Sequence, residues 1–260
     1  MDFSALAAVE AEEMDALRAG GRFEGKLFGA ELTLDDLDFR EARFENCAFQ
    51  ALTVRDADFS EARFVNCRFV GVRFANCLFV QSAFEKGQFF DAESKTGCTF
   101  ARCEMRGVEM AGCNLTSAAF ERCDLHAVAA KDCSFRGAAF KGSHFDKAIS
   151  KKVVLNRARF EACNFSYADL SGLTLKDCEF PQCRFSETLF WDADLTNAKL
   201  EGATIDRAEW DRARLSGADL QGASIAGLNL AVLADYAGLI VSQSQQHELL
   251  REIGVDVRPD

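Results

Sequence analysis

The sequence contains only two prolines, Pro181 and Pro259, and has no glycine/serine tract or charge block that would mark a linker. We therefore expect its 260 residues to form one domain. No apolar run approaches the roughly 18 residues that a membrane helix requires, and the N-terminus lacks the basic residues that begin a secretory signal. These absences predict a cytoplasmic protein that does not contact a membrane.

Lysine and arginine are also fewer than aspartate and glutamate, so the formal net charge is -11. Proteins that neutralise phosphates carry clustered lysine and arginine, so direct binding of nucleic acid is not expected. Acidity by itself suits solubility as well as it suits a basic partner. The hydrophobic content of 48% is enough for a substantial core.

A large apolar residue returns at every fifth position from Leu34 to Leu230. A first register of 12 positions ends at Phe89, and a second register of 27 positions begins at Phe100, which gives 39 repeats. Within them only Ala130 and Ser150 fail to supply a bulky apolar group, and 20 of the 24 phenylalanines occupy the repeated position. This period is the dominant structural signal of the chain.

A period of five fits neither the turn of about 3.6 residues in a helix nor the alternation of an ordinary strand. A chain that turns through a right angle every five residues closes a square after four repeats, so residues 20 positions apart lie above one another. The apolar residue and the small residue two positions before it then point inward. This geometry predicts a square solenoid with inner columns formed by Phe100, Phe120, Phe140, Phe160 and Phe180, and by Leu155, Leu175, Leu195 and Leu215.

The eleven cysteines all lie two positions before a repeated apolar residue, in a slot that they share with alanine. This placement is typical of a reduced thiol that serves as a small buried hydrophobe. Zinc sites favour short cysteine pairs with histidine nearby, and the chain has three histidines. We expect stacking of Cys47 with Cys67 and of Cys103 with Cys123, and no metal or other cofactor.

The two ends depart from the repeat. Residues 1–21 are predicted to form an N-terminal capping helix, and residues 22–33 an imperfect first coil. Residues 231–240 fit either a last partial coil or a short helix. The segment 242–254 reads as a helix that begins at a capping serine and ends at Gly254, with Leu249, Leu250 and Ile253 on its apolar side.

The repeats resemble those of the pentapeptide-repeat family, whose units begin with alanine followed by Asp or Asn and then Leu or Phe. The best matching units are Ala168–Gly172, Ala193–Asn197, Ala218–Gly222 and Cys163–Tyr167. The resemblance implies an all-β solenoid, a right-handed quadrilateral parallel β-helix over residues 22–230 with short terminal capping helices. Ten coils stacked about 4.8 Å apart would give a rod roughly 47 Å long.

The C-terminal segment is similar to the tails of quinolone-resistance members of this family, which help to form end-to-end dimers. The resemblance therefore implies a homodimer held through Leu249, Leu250 and Ile253. A one-residue slip between Phe89 and Phe100 is either a tolerated bulged corner or a projecting loop that presents Phe90 and Glu93 to a partner. Ser150 with Lys151 and Lys152 marks a second irregular place.

A catalytic role finds little support in the sequence. Carboxylates beside the repeated apolar positions point into water, and no phosphate-binding loop or nucleophile motif occurs in a fitting context. His126 and His144 would lie near one another, which leaves an enzyme built on this pair as a third and weaker alternative. We expect a non-enzymatic protein.

Acidic residues form two groups on the outer surface. The first consists of Asp38, Glu41, Asp58 and Glu61, and the second of Asp169, Asp192, Asp194, Glu209 and Asp211. The family resemblance implies that such stripes imitate duplex DNA and bind gyrase or topoisomerase IV, which suggests a resistance or protection factor.

Charge density limits this interpretation, because a duplex as long as the rod would carry about 28 charges. The rival interpretation is an adaptor or secretion-associated scaffold without a topoisomerase role. In that case Trp191, Phe90 and the slip would supply the docking features.

Overall fold

The structure, a computed structural model, describes residues 6–10, 19–150, 153–156, 158–256 and 258. The chain winds into a parallel β-helix with four faces, which confirms the predicted quadrilateral solenoid. We name the faces A to D in the order in which the chain meets them from Arg22 onward. Each face is a ladder of parallel pairs between residues that are 20 positions apart wherever the coil carries no insertion, as in Arg43 with Arg63.

Face A is the longest ladder. Its paired residues are Arg22, Arg43, Arg63, Ala83, Glu109, Ala129, Arg159, Glu179, Lys199, Asp219 and Ile240. The strands of this face are Arg22–Glu24, Arg43–Glu45, Arg63–Val65, Ala83–Glu85, Glu109–Ala111, Ala129–Lys131 and Arg159–Glu161. Beyond Arg159 the pairing continues as single bridges, because each coil turns again after about three extended residues.

Faces B, C and D complete each coil. Face B contains the strands Ala7–Ala8, Lys26–Phe28, Ala48–Gln50 and Arg68–Val70, and face C contains Thr53–Arg55, Arg73–Ala75, Thr99–Ala101 and Ala119–Glu121. Face C continues through Ala139, Asp169, Leu189 and Glu209. Face D is built from single bridges, with the columns Asp38, Asp58, Leu78, Glu104, Asp124, His144 and Thr174, Asp194, Arg214, Asp235.

The core consists of the repeated apolar residues and the small residues two positions before them. Phenylalanine rings stack from coil to coil, as in Phe44 with Phe64 (4.8 Å between centroids, 5° between planes) and Phe64 with Phe84 (4.7 Å, 6°). Rings of neighbouring faces meet edge to face, as Phe44 and Phe49 do at 64°. Both arrangements are favourable for aromatic pairs, so the column of rings holds successive coils in register.

Each corner requires a residue in the left-handed region, two positions after the repeated apolar residue. Asn46 (φ 52°), Asp56 (φ 56°) and Asn66 (φ 52°) are examples, and Asn, Asp and Gly accept this conformation most readily. The Asn66 side-chain amide also donates to Asn46 Oδ1 at 2.7 Å. The corner residues therefore both permit the right-angle turn and tie neighbouring coils together.

The slip between Phe89 and Phe100 is an insertion of six residues, because Phe74 pairs with Phe100 at a spacing of 26 instead of 20. The extra residues form a small antiparallel hairpin, Phe90–Asp91 with Thr96–Gly97. Gly97 is required there, since a Cβ would lie 2.4 Å from the Ser117 backbone. The slip is therefore a short hairpin and not a single bulged residue.

A second insertion of ten residues follows Phe145, because Ala129 pairs with Arg159 at a spacing of 30. It forms the antiparallel hairpin Asp146–Ser150 with Val153–Asn156. The predicted inner columns are therefore wrong at this point: Phe140 is not below Phe160, since Ala139 pairs with Asp169, and Phe160 instead follows Ala130 on face A. Leu155 lies in the hairpin, outside the column that we had predicted for it.

At the N-terminal end, Ala7–Ala8 form a strand paired with Lys26 and Leu27, so the predicted helix over 1–21 is wrong at these residues. The first coil leaves a strand edge open, and pairing satisfies its backbone groups better than a helix would. Val9 beside this strand is buried against the core. Residues 1–5 and 11–18 of the predicted helix lie outside the described residues.

At the C-terminal end the solenoid continues beyond Leu230. A 3-10 turn at Leu230–Val232 adds one residue, and then Asp235 and Ile240 pair with Arg214 and Asp219. A second 3-10 turn, Gln243–Gln245, leads into the helix Gln246–Glu252. Residues 231–240 thus contain both alternatives that the sequence left open, a short helical turn and a last partial coil.

Gln245 closes this end of the rod. Its side-chain amide donates to the carbonyl oxygens of Leu220 and Ala223, both at 2.8 Å, and its Oε1 accepts from the Ser242 backbone at 2.6 Å. The Leu220 carbonyl also accepts the Ala223 backbone N–H at 3.0 Å. No described strand lies above the last coil, so the Ala223 carbonyl requires another donor. The buried glutamine supplies it, and Leu249 packs against the core beside it.

Candidate functional site

The first acidic group is stacked as predicted, and Arg40 offsets part of its negative charge. Asp38 pairs directly with Asp58 on face D, and Glu41 and Glu61 occupy equivalent corners with φ of 59° and 60°. Arg40 donates from Nε and Nη2 to Asp38 at 2.9 and 2.7 Å, and it lies 3.8 Å from Asp58. The hydrogen bonds from Arg40 hold the pKa of Asp38 below its ordinary value. This stripe therefore presents a mixed surface instead of a continuous anionic one.

Two members of the second group are also paired with cations. Arg212 donates from Nε and Nη2 to Asp192 at 2.7 Å each, which lowers the pKa of that carboxyl. Asp194 lies around the corner on face D, where partial burial opposes ionisation, but hydrogen bonds from Thr196 and the ammonium of Lys176 at 3.1 Å outweigh it and lower its pKa. Neither carboxylate is available to a partner without loss of an existing ion pair.

Three carboxylates of the second group form no ion pair among the described residues, and all three lie on face C. Asp169 and Glu209 share one column two coils apart, with Leu189 between them. Asp211 stands two residues after Glu209 in the same coil and interacts electrostatically with the neighbouring Arg212. All three carboxylates are exposed.

Glu41 and Glu61 of the first group also form no ion pair among the described residues, but they line a groove together with Arg43 and Arg63. Of the nine acidic residues that the sequence selected, the three on face C therefore form the most coherent acidic surface.

Trp191 lies in the middle of this surface. Its side chain is 40% exposed, and its indole N–H donates to Glu209 Oε2 at 2.9 Å. Leu189, two residues earlier on the same face, is half-buried. We define Asp169, Leu189, Trp191, Glu209 and Asp211 as the face C patch: one apolar layer with acidic residues in the coils on either side.

The sequence selected Trp191 but missed Leu189. The available signal was its place directly before a repeated apolar residue, where the best matching units carry Asp or Asn. An apolar residue there marks an outward position that the repeat does not explain.

The loop candidates differ from one another in exposure. Phe90 is half-buried, so the expectation of an exposed docking ring is wrong for this residue, because it forms part of the hairpin ladder. Glu93 is exposed at the tip. Asp91 fixes the loop by accepting the backbone N–H of Ser94 at 3.0 Å and its hydroxyl at 2.6 Å.

The tail presents an apolar group to solvent. Leu249 packs against the core and Leu250 is half-buried, whereas Ile253 is 46% exposed. Val255 and Tyr236 are exposed to 45% and 47%. The sequence did not select Tyr236, although the unit Ala234–Gly238 follows the repeat consensus in a register shifted by one residue.

The side chains that suggested other chemistry have partners elsewhere in the solenoid. His126 Nδ1 lies 3.3 Å from the Phe145 carbonyl oxygen, whereas His144 Nε2 lies 3.6 Å from Asp124, so the two rings have different partners. All eleven cysteines are buried and form no disulfide bond, and burial raises the pKa of Cys98 to about 12. The described residues contain no cluster of three or more His, Cys, Asp or Glu side chains placed to hold a metal.

Within the described part of the chain no helix is long and apolar enough to cross a membrane. The family description "Pentapeptide repeat region" matches residues 37–96 and 153–230, and "Pentapeptide repeats (8 copies)" matches 96–128 and 133–172. The chain belongs to the pentapeptide-repeat family. Its four-faced core and left-handed corners are what the repeat requires.

Three similar solved structures are forms of QnrB1, a plasmid-mediated fluoroquinolone resistance protein. The full-length protein is 23% identical, with a TM-score of 0.70 over 80% of this chain and 100% of QnrB1. Two trypsin-treated variants give TM-scores of 0.67 and 0.63 at 23% and 21% identity, covering 81% and 97% of this chain and 100% and 96% of theirs. A comparison with curated protein sequences yields no match. At these identities the likeness shows a shared fold.

Proposed function

We propose that this protein is a non-catalytic interaction solenoid that binds a type II topoisomerase, gyrase or topoisomerase IV, through the acidic part of face C. The observation that carries the proposal is the group of three exposed carboxylates on a rigid wall that form no ion pair among the described residues. Neighbouring coils lie about 4.8 Å apart and alternate residues of a strand about 6.6 Å apart. Asp169, Glu209 and Asp211 therefore stand in a fixed lattice of negative charge.

The imitation of DNA is partial. B-DNA carries one charge per about 1.7 Å of axis, and Arg40 offsets part of the charge of the first acidic group, so the rod as a whole does not reproduce a duplex. A local patch can still occupy part of a basic DNA-binding channel, where complementary charge accelerates association. QnrB1 carries fluoroquinolone resistance in its own description. This supports the choice of gyrase as the first partner to test.

The test is DNA supercoiling by gyrase in the presence of the protein, with and without a fluoroquinolone. We expect inhibition or drug protection at micromolar protein, and loss of the effect in the double charge reversal Glu209→Lys/Asp211→Lys. The matched control is Asp38→Lys/Asp58→Lys, which reverses two carboxylates on face D that share the guanidinium of Arg40. No effect of the unaltered protein, or equal losses in both double variants, would contradict the proposal.

A second candidate function is an adaptor or secretion-associated scaffold. The two hairpins, Phe90–Gly97 and Asp146–Asn156, favour it because they interrupt an otherwise regular wall and present exposed residues such as Glu93. Deletion of a hairpin should then abolish capture of a protein partner, while charge reversal at Glu209 should leave capture unchanged. Loss of capture on charge reversal at Glu209, with capture retained after deletion of a hairpin, would favour the topoisomerase.

We also propose that two copies associate through the C-terminal tail. Tyr236, Ile240, Ile253 and Val255 are each 43–47% exposed, and burial of such apolar surface would stabilise a dimer. Light scattering at micromolar concentration should give twice the mass of 28.7 kDa, and Ile253→Asp should return the monomer. A monomeric mass for the unaltered chain would contradict this association.

Eleven reduced thiols suit a cytoplasmic location.

A further inference from the structure

The face C patch has a chemical character that acidity alone does not describe. An exposed indole and a half-buried leucine occupy one coil, and unpaired carboxylates occupy the coils on both sides. A large exposed aromatic side chain on a rigid sheet is the kind of group that dominates binding energy when a partner covers it. The patch therefore has an apolar anchor as well as a charge pattern.

Trp191 is held in position before any partner arrives. The hydrogen bond of 2.9 Å from its indole N–H to Glu209 Oε2 restricts the ring, and the backbone carbonyl of Trp191 accepts from Gly172 N–H at 2.7 Å. A restricted side chain loses less conformational entropy on binding. The same hydrogen bond occupies one oxygen of Glu209 and leaves its negative charge uncompensated.

We infer that the face C patch is a docking site for an arginine-bearing, extended segment of a protein partner. A guanidinium group can stack on the face of an indole and at the same time donate paired hydrogen bonds to a carboxylate. Asp211 occupies the same outward column as Trp191 in the next coil, about 4.8 Å away, so one arginine can reach both groups. The ammonium group of lysine is not planar and cannot stack on the indole, so a lysine side chain would gain less binding energy at this site.

The spacing of the patch specifies the extended form. Glu209 and Asp211 are alternate residues of one coil, about 6.6 Å apart, which is also the spacing of alternate side chains in an extended peptide. A segment with arginine at every second position can therefore meet both carboxylates together. The nearest lysine in the Trp191 column is Lys141, two coils away beyond Ser171. Arg212 lies beside Asp211 and interacts with it electrostatically, but its hydrogen bonds go to Asp192, so Asp211 keeps its oxygens free for an incoming guanidinium.

This docking site deepens the proposed function, and it rests on that proposal only in treating face C as the contact surface. The probe is a heptapeptide of alternating glycine and arginine, titrated into the full-length protein by calorimetry at low salt, with the lysine and glutamate analogues in parallel. We expect the arginine peptide to bind more tightly than the lysine peptide by roughly three- to tenfold, and the glutamate peptide not to bind.

Variants locate the site. Trp191→Ala should weaken the arginine peptide by about tenfold and remove its advantage over the lysine peptide, and Asp211→Asn should weaken both peptides. Asp38→Asn is the matched control and should change neither affinity. All three side chains are on the outer wall, so each variant should stay folded, which a cooperative thermal melting transition checks.

Equal affinity for the arginine and lysine peptides, absence of binding by the arginine peptide, or unchanged affinity in Trp191→Ala would overturn the assignment. So would a loss in Asp38→Asn as large as that in Asp211→Asn. Peptide binding without any effect on supercoiling would remove gyrase as the partner and keep the docking site. An effect on supercoiling that persists in Trp191→Ala, together with no peptide binding, would remove the docking site and keep gyrase as the partner.

Discussion

Deletion of the hairpin Asp146–Asn156 should preserve the stability of the solenoid only when ten residues are removed. Deletion of residues 147–156 joins Asp146 to Arg157 and places Phe160 five positions after Phe145, which restores the repeat. Arg157 would then occupy a left-handed corner, a position that Arg102 and Arg122 already hold at φ of 54° and 56°. Removal of a ten-residue insertion should change the free energy of unfolding by no more than about 1 kcal/mol.

Deletion of one residue more, 147–157, places Phe160 only four positions after Phe145. If the coil keeps its five-residue period, Phe160 leaves the core, Glu161 takes its inner position and Arg159 takes the inner position of the small residue. Phe160 is 2% exposed and lies 5.5 Å from the ring of Phe180 and 5.2 Å from that of Phe165. Loss of such a side chain from a packed core costs about 3–5 kcal/mol.

Urea unfolding followed by tryptophan emission measures both deletions, because Trp210 is buried and reports on the loss of the core. The ten-residue deletion should keep the midpoint of the intact protein, and the eleven-residue deletion should lower it markedly. Equal midpoints for the two deletions would refute the assignment of the inner face. A large loss in the ten-residue deletion would show that the hairpin itself stabilises the rod.

Other perturbations test other parts of the structure. Phe64→Ala should lower the free energy of unfolding by about 3–5 kcal/mol and Phe23→Ala by clearly less. Phe64 stacks on one ring above and one below, whereas Phe23 ends the column. Equal losses of unfolding free energy in urea would refute stacking as the cause. Gln245→Leu should cost about 1–3 kcal/mol, since the Ala223 carbonyl loses its donor and the Leu220 carbonyl keeps only the Ala223 backbone N–H, and an unchanged midpoint would contradict the cap. The folded structure lowers the pKa of Asp194, so this carboxylate stabilises the fold at pH values above its pKa in the unfolded chain, and the stabilisation is lost as the pH falls. Asp194→Asn should therefore reduce the fall in melting temperature at acid pH, and an unaltered dependence on pH would contradict that role. A thiol reagent should label the native protein slowly and all eleven cysteines after unfolding, so rapid native labelling would contradict their burial.

The sequence predicted the fold because its period has no alternative explanation. Apolar groups at every fifth position satisfy a four-sided coil and neither a helix nor a sheet, and the small residue beside them explains the buried cysteines. The insertions were harder to read for a numerical reason. Six extra residues at Phe90 shift the phase by one and were visible as a slip, whereas ten extra residues after Phe145 preserve the phase. Leu155 therefore counted as an ordinary repeat, and Ser150 as an irregular position within the repeat and not as part of an insertion.

The candidate site was predictable in its residues and not in its electrostatics. Sequence spacing correctly stacked Asp38 on Asp58, yet it could not show that Arg40 turns back onto both. Spacing also could not show that Arg212 pairs with Asp192 while Asp211 forms no ion pair among the described residues. Those outcomes depend on rotamers of long side chains, which the repeat leaves free because they face water.

The most direct test of the central claim is competition between this protein and linear duplex DNA for gyrase. An acidic interaction surface that replaces part of the DNA predicts mutual exclusion: rising DNA concentration should displace the protein, and Glu209→Lys/Asp211→Lys should neither bind nor compete. A stable ternary complex of gyrase, DNA and this protein would contradict the claim, as would full competition by the charge-reversed variant.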